Sequence, residues 1–129
     1  MNYLEIATKL RAAANAAEVW MHTNFAGLSP AQREHLDALI TSLRSLAANY
    51  FIKASRLDII EPAIVMHQVA LGDAINSADA AIKIIAGVRK VLKVVSSLIG
   101  LATALGSPTP AGVLAAIGKV TTAFGSTEN

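Results

Sequence analysis

Between Val94 and Gly118 the chain has no charged residue, and one turn, Ser107-Pro108-Thr109-Pro110, divides that run into two arms. A helix that crosses a membrane needs about 20 consecutive apolar residues. As a helix the first arm, Val94 to Gly106, would reach only about 20 Å, against a hydrocarbon core of roughly 30 Å. The turn therefore predicts a helical hairpin rather than two conventional spans, with Thr109 as cap and Pro110 at the first position of the second arm. The stretch that leads into it, Ala80–Gly106, contains Lys83, Arg89, Lys90 and Lys93 and no acidic residue. At helical spacing Lys83, Gly87, Lys90, Lys93 and Ser97 form a narrow basic strip. Ile84, Val88, Val91, Val95 and Leu98, widened by Ile82, Ile85, Leu92 and Ile99, form a broad apolar face.

A chain of 129 residues supports one domain with one core. Aromatic residues make up only 5% of it, so its 53% apolar share rests on Ala, Leu, Ile and Val. Alanine has the best helix propensity and little to pack across strands, which points to close-packed helices rather than sheets. The mean hydropathy of +0.49 implies extensive burial, oligomerisation or contact with lipid. Charge is divided unevenly. Residues 1–79 hold six Lys/Arg against eight Asp/Glu, and residues 80–129 hold five against one, so the halves stand at −2 and +4. Such asymmetry suggests that the second half meets something anionic. With no cysteine, disulfides and thiolate metal sites are excluded. Glu5, Lys9 and Arg11 interrupt any apolar core of a signal peptide, so the expected location is cytoplasmic or peripheral to a membrane.

In chain order, Asn2 and Glu5 look like a helix cap, followed by apolar residues at helical spacing from Tyr3 to Met21. A first helix is expected from about Tyr3 to Asn24, and its small residues Ala12 to Ala17 would let a neighbour approach closely. Gly27 suits a left-handed position after it. Ser29-Pro30-Ala31-Gln32 reads as a capping box with Pro at the first helical position. The second helix then runs to Leu57, with Leu36, Leu39, Ile40, Leu43, Leu46, Ala47, Tyr50, Ala54 and Leu57 on the face that pairs with the first. Pro62 breaks the chain after Asp58, and a third helix carries Ile64, Val65, Val69, Leu71 and Ile75. Continued to Leu105, that helix would be a rod of more than roughly 60 Å, too long for a small domain. An interruption is expected between Gly72 and Asp79, where Gly72, Asp73, Asn76, Ser77 and Asp79 cluster. A fourth helix over Ser77–Leu105 and a fifth ending near Gly125 complete an all-α bundle of four to five helices. The single domain 1–129 thus divides into a hairpin (1–57), a third helix and break (58–79) and a basic/apolar hairpin (80–125).

Residues that carry reactions are not patterned for it. His22, His35 and His67 share no i, i+3 or i, i+4 spacing, and no Glu-x-x-His occurs. The carboxylates fall mostly at caps or outward faces, no nucleophile elbow or phosphate loop is present, and no cofactor is implied. A non-enzymatic protein is expected. The basic strip lacks the stacking aromatics or polar base readers of nucleic-acid modules, which places nucleic acid third among partners. First comes an anionic lipid membrane, met by Lys83, Arg89, Lys90 and Lys93 with Ile85, Leu92, Val95 and Ile99, because cations beside aliphatics suit an anionic interface. The extended form of that reading is oligomerisation into a pore, and in outline the chain resembles α-helical membrane-inserting toxins and effectors, with no shared motif. The alternative is a soluble, homo-oligomeric helical-bundle interaction or scaffold module, in which the same surface meets a second copy or a protein partner.

Overall fold

The computed structural model describes residues 1–126, and these form an all-α bundle: α1 (Tyr3–Thr23), α2 (Pro30–Ser55), the single-turn α3 (Pro62–Val65), α4 (Gln68–Ile82), α5 (Val88–Ala104) and α6 (Pro110–Gly125). Local chemistry fixes most of the starts. The Asn2 side chain accepts from the Glu5 N–H at 2.9 Å, satisfying one of the orphan donors that begin any helix. Ser29 and Gln32 exchange reciprocal bonds of 3.1 and 2.9 Å ahead of α2, with Pro30 first in the helix. Thr109 accepts from the Gly112 N–H at 3.0 Å and opens α6 in the same way.

Three hydrogen bonds set α1 alongside α4 in parallel register. The Met1 amine donates to Gln68, Lys9 to Asn76, and the Trp20 indole to the Ile85 carbonyl, at 2.8, 3.0 and 2.7 Å. The near-constant sequence offset of these pairs means the two helices run the same way. α2 runs back along α1 and packs on α5, α5 pairs with α6, and α6 packs on α4, closing a ring of five long helices. The Ala12–Ala17 stretch lies inside this ring, with Ala13, Ala14, Ala16 and Ala17 buried, so its small side chains serve packing within the bundle. Trp20 is buried on the same helix. The molecule therefore has two ends. The connector end holds the starts of α1, α4 and α6, the ends of α2 and α5, and residues 56–61. The opposite, basic end holds the end of α1, the start of α2 and the junction between α4 and α5.

Four expectations need correction. The helix does not break between Gly72 and Asp79; α4 runs through it, and the chain turns at 83–87 instead. Asp73, Asn76, Ser77 and Ala80 are all exposed at i, i+3, i+4 and i+7, so the polar cluster is the outer face of an amphipathic helix. Gly72 lies against Met1, where an added Cβ would come within 3.0 Å of the methionine methyl. At the true turn the only local breaker is Gly87, extended at φ −111° and ψ 147°, and the Trp20 indole pins the turn by its bond to Ile85. The basic strip is therefore divided, with Lys83 closing α4 and the other cations on α5. Gly27 is not left-handed; a 3₁₀ turn, Phe25–Gly27, takes the chain out of α1. The left-handed residue is Leu57, at φ 58°, outside α2 and 86% exposed rather than on its packing face. Finally, the expected third helix is not continuous, since Pro62–Val65 forms a single turn and α4 begins anew at Gln68; of its apolar residues Val65 and Val69 are exposed and Ile64, Leu71 and Ile75 buried.

Candidate functional site

The apolar face of the C-terminal hairpin is spent inside the bundle. Val91, Val94, Val95, Leu98, Leu101, Ala102 and Leu105 of the α5 segment and Val113, Ala116, Ile117, Val120 and Ala123 of α6 are buried in the common core. This assigns the eight candidate surface residues to two groups. Lys83, Arg89 and Lys93 are exposed and Lys90 is half-buried, whereas Val95 is fully buried and Ile85, Leu92 and Ile99 pack against the core. Apart from Ile84 and Leu114, the hairpin thus shows water mainly its cations and its small residues. Tyr50 locks the hairpin to α2 by donating to the Ala102 carbonyl near the end of α5. Burial, with a smaller contribution from the neighbouring Tyr3 ring, pushes the Tyr50 phenol far above the ordinary tyrosine value. Among the described residues no helix is long and apolar enough to cross a membrane.

The cations gather at the basic end. Lys83 closes α4, Arg89 and Lys90 lie in the first turn of α5, Lys93 follows one turn later, and Lys119 of α6 shares a groove with Lys93. In that first turn of α5 a cation, whether Arg89 or Lys90, opposes the helix dipole. The exposed Lys83 lies 3.6 Å from the half-buried Asp79, one helical turn back. Beside Lys83, Ile84 is 84% exposed, and it borders a cleft of about 270 Å³ shared with Val19, Trp20 and Thr23. Val19 and Phe25 are the other large apolar side chains exposed at this end. Nearby, Arg44 of α2 reaches Glu18 of α1 and donates to Asn15 at 2.9 Å. That guanidinium, chiefly by hydrogen bonding, holds the Glu18 carboxyl below its ordinary value.

The connector end presents a different surface. Leu57 and Ile59 are 86% and 90% exposed, and Leu4 and Ile52 are exposed at the same end. Asn2, Tyr3, Leu4, Phe51, Ala54, Ser55, Leu57 and Asp58 line a cleft of about 500 Å³ there. Leu57 and Asp58 end α2 through two bonds, the Leu57 N–H to Ala54 and the Asp58 N–H to Lys53, both 3.0 Å. This is the arrangement that usually places glycine at the left-handed position. Farther along the connector Val65, Met66 and Val69 are also exposed. The rim charges alternate in sign: Arg56 pairs with Asp58 at 2.8 Å, Lys53 stacks over Tyr3 and Arg11 over Phe51, with Glu5 and Glu61 exposed nearby. Periodicity alone places Leu57 on the packing face of α2 and a break before Pro62. The available signal was the density of aliphatics in Leu57-Asp58-Ile59-Ile60, a segment too short to bury them all.

No group of three or more metal-ligating side chains converges among the described residues. Comparison of the chain with protein-family models, with curated proteins and with solved structures returns no match.

Proposed function

We propose that this protein binds anionic membrane surfaces peripherally, as an intact bundle, through its basic end. The observation that carries this reading is the grouping of Lys83, Arg89, Lys90, Lys93 and Lys119 towards one end, where Ile84, next to Lys83, is also nearly fully exposed. Each cation near an anionic surface contributes about 1 kcal/mol, and the contribution falls off within a Debye length. Burying Ile84 among acyl chains adds on the order of 2 kcal/mol. Together these give on the order of 5–7 kcal/mol, which is weak, reversible and salt-dependent binding in the range of about 10 µM to 0.1 mM. The hairpin's aliphatics stay in the core, and its cations lie at the interface rather than in the hydrocarbon.

Purified protein should float with phosphatidylglycerol-containing vesicles at low salt and not with pure phosphatidylcholine. Binding should be lost at about 0.5 M salt, where screening extends over only a few ångströms. Ile84→Asp, or Lys83→Glu combined with Lys90→Glu, should abolish flotation while leaving the helical circular dichroism unchanged. Absence of flotation at low salt contradicts the proposal. Trp20, buried beside Ile84, is a ready fluorescence reporter of docking at this end.

A second reading, a soluble protein-interaction module, is favoured by the other end of the molecule. Seven of the eleven exposed large apolar side chains, Leu4, Ile52, Leu57, Ile59, Val65, Met66 and Val69, belong to α1, α2 and the 57–69 segment at or near the connector. Concentrated aliphatic exposure of this kind marks interaction surfaces.

A further inference from the structure

We infer that the connector end is a homodimer interface, in which Ile59 of each copy enters the cleft between α1 and α2 of the other. This rests on the interaction-module reading and is independent of membrane docking. Three features of the surface point to a second copy as the occupant.

The first is shape. The cleft has Tyr3, Phe51 and Ala54 among its linings and is flanked by Leu4 and Leu57, and Ile59 projects two residues beyond Leu57. Each copy thus offers both a knob and a hole, as a self-complementary two-fold interface requires. The second is charge. Around the cleft Arg11, Lys53, Arg56 and the Met1 ammonium are interleaved with Glu5, Asp58 and Glu61, so no large field of one sign results. An anionic bilayer or a nucleic acid selects a net positive surface, whereas alternating signs can complement themselves after a two-fold rotation. The third is area. Leu4, Ile52, Leu57 and Ile59 are each more than half exposed at this end, and the stems of Lys53 and Arg56 add to the apolar area available for pairing. A left-handed leucine is consistent with such a role, since a strained residue that displays its side chain is held for something other than local stability. Pairing at this end leaves both basic ends pointing away from the interface.

The test uses the full chain in two arms. Sedimentation velocity from about 1 to 200 µM should show a monomer–dimer equilibrium, the affinity range of a small interface. Ile59→Asp should raise its dissociation constant by at least about tenfold, because a buried charge would face an apolar cleft. Leu57→Gly should weaken dimerisation while raising the thermal midpoint of the dilute monomer, a split that a merely structural Leu57 would not produce. In the second arm Ile59→p-benzoylphenylalanine is illuminated, both in purified protein and in cells that express it. A crosslinked dimer mapping to Tyr3, Leu4 or Phe51 supports the inference. Crosslinking in cells to a different protein, with a monomer at every concentration, overturns the homodimer and leaves the interaction-module reading standing. Crosslinking to lipid alone, or no crosslink and no dimer, overturns both.

Discussion

The C-terminal hairpin and the α2–α4 connector exchange roles between sequence and structure. The hairpin is the most apolar stretch of the chain, yet its aliphatics are nearly all inside. Buried Val94, Val95, Leu98 and Leu101 face the core, and Leu114 is its one largely exposed aliphatic between Val88 and Gly125. The connector is short and interrupted by Asp58, Glu61 and Pro62, yet it holds Leu57, Ile59, Val65 and Met66 out in water. Local hydropathy therefore does not identify which aliphatic residues stay exposed. What decides is whether neighbouring elements have a face to cover the apolar residues. α5 has α2 on one side and α6 on the other, while the connector passes over the end of the ring where no helix covers it.

The contrast can be broken by substitution. Leu98→Ala should destabilise the fold by about 3 kcal/mol, the cost of lost transfer energy plus a cavity, while Ile59→Ala should change monomer stability by no more than about 0.5 kcal/mol. Urea unfolding of both variants at a concentration below dimerisation reads the difference directly. Comparable losses at the two sites would mean that the connector is part of the core.

Tyr50 sharpens the comparison, because it ties the hairpin to the rest of the bundle. Tyr50→Phe removes a buried bond to the Ala102 carbonyl and leaves that acceptor unsatisfied, at a cost of about 1–2 kcal/mol. The pH dependence has a definite sign. The folded phenol is raised above the unfolded value of 10.0, so above that pH the unfolded chain has released a proton that the folded chain still holds. Stability is then full below pH 10 and falls as pH rises towards the folded value. Tyr50→Phe should flatten much of this alkaline decline in thermal scans, with Tyr3, also raised chiefly by burial, responsible for part of the remainder.

The smallest expected effect lies in the connector and has the opposite direction. Leu57→Gly relieves a left-handed conformation that costs an ordinary residue roughly 1–2 kcal/mol, less the added entropy of glycine in the unfolded chain. The monomer should gain about 0.5 kcal/mol, measured by thermal unfolding of the dilute protein. Destabilisation would show that the Leu57 side chain makes a contact the fold depends on.

Local chemistry was legible from the residues. The caps at Asn2, Ser29 and Thr109, the all-α class, the buried alanine stripe and the antiparallel α1–α2 pairing follow from spacing and side-chain reach. The position of the turn between α4 and α5 was not, because Lys83-Ile84-Ile85-Ala86-Gly87 has only one local breaker. What defines that turn includes the Trp20 indole, 65 residues earlier in the chain. The cations stand out in the sequence by their type, but their grouping with Lys119 towards one end depends on how α6 returns along α5. Ile85, Leu92, Val95 and Ile99 were assigned to a surface because a lone helix with so broad an apolar face needs a partner. The partner is the rest of the same chain.

Native-state hydrogen exchange tests the contrast between hairpin and connector most directly, since it assigns an opening free energy to each segment. Amides from Val94 to Ala102 should exchange only through global unfolding, as slowly as those from Ile6 to Ala17 in α1. Residues 56–61 should exchange orders of magnitude faster. If α5 and α6 opened together as a separate unit well below the global free energy, the hairpin would be a detachable element rather than the core, and the account would be contradicted.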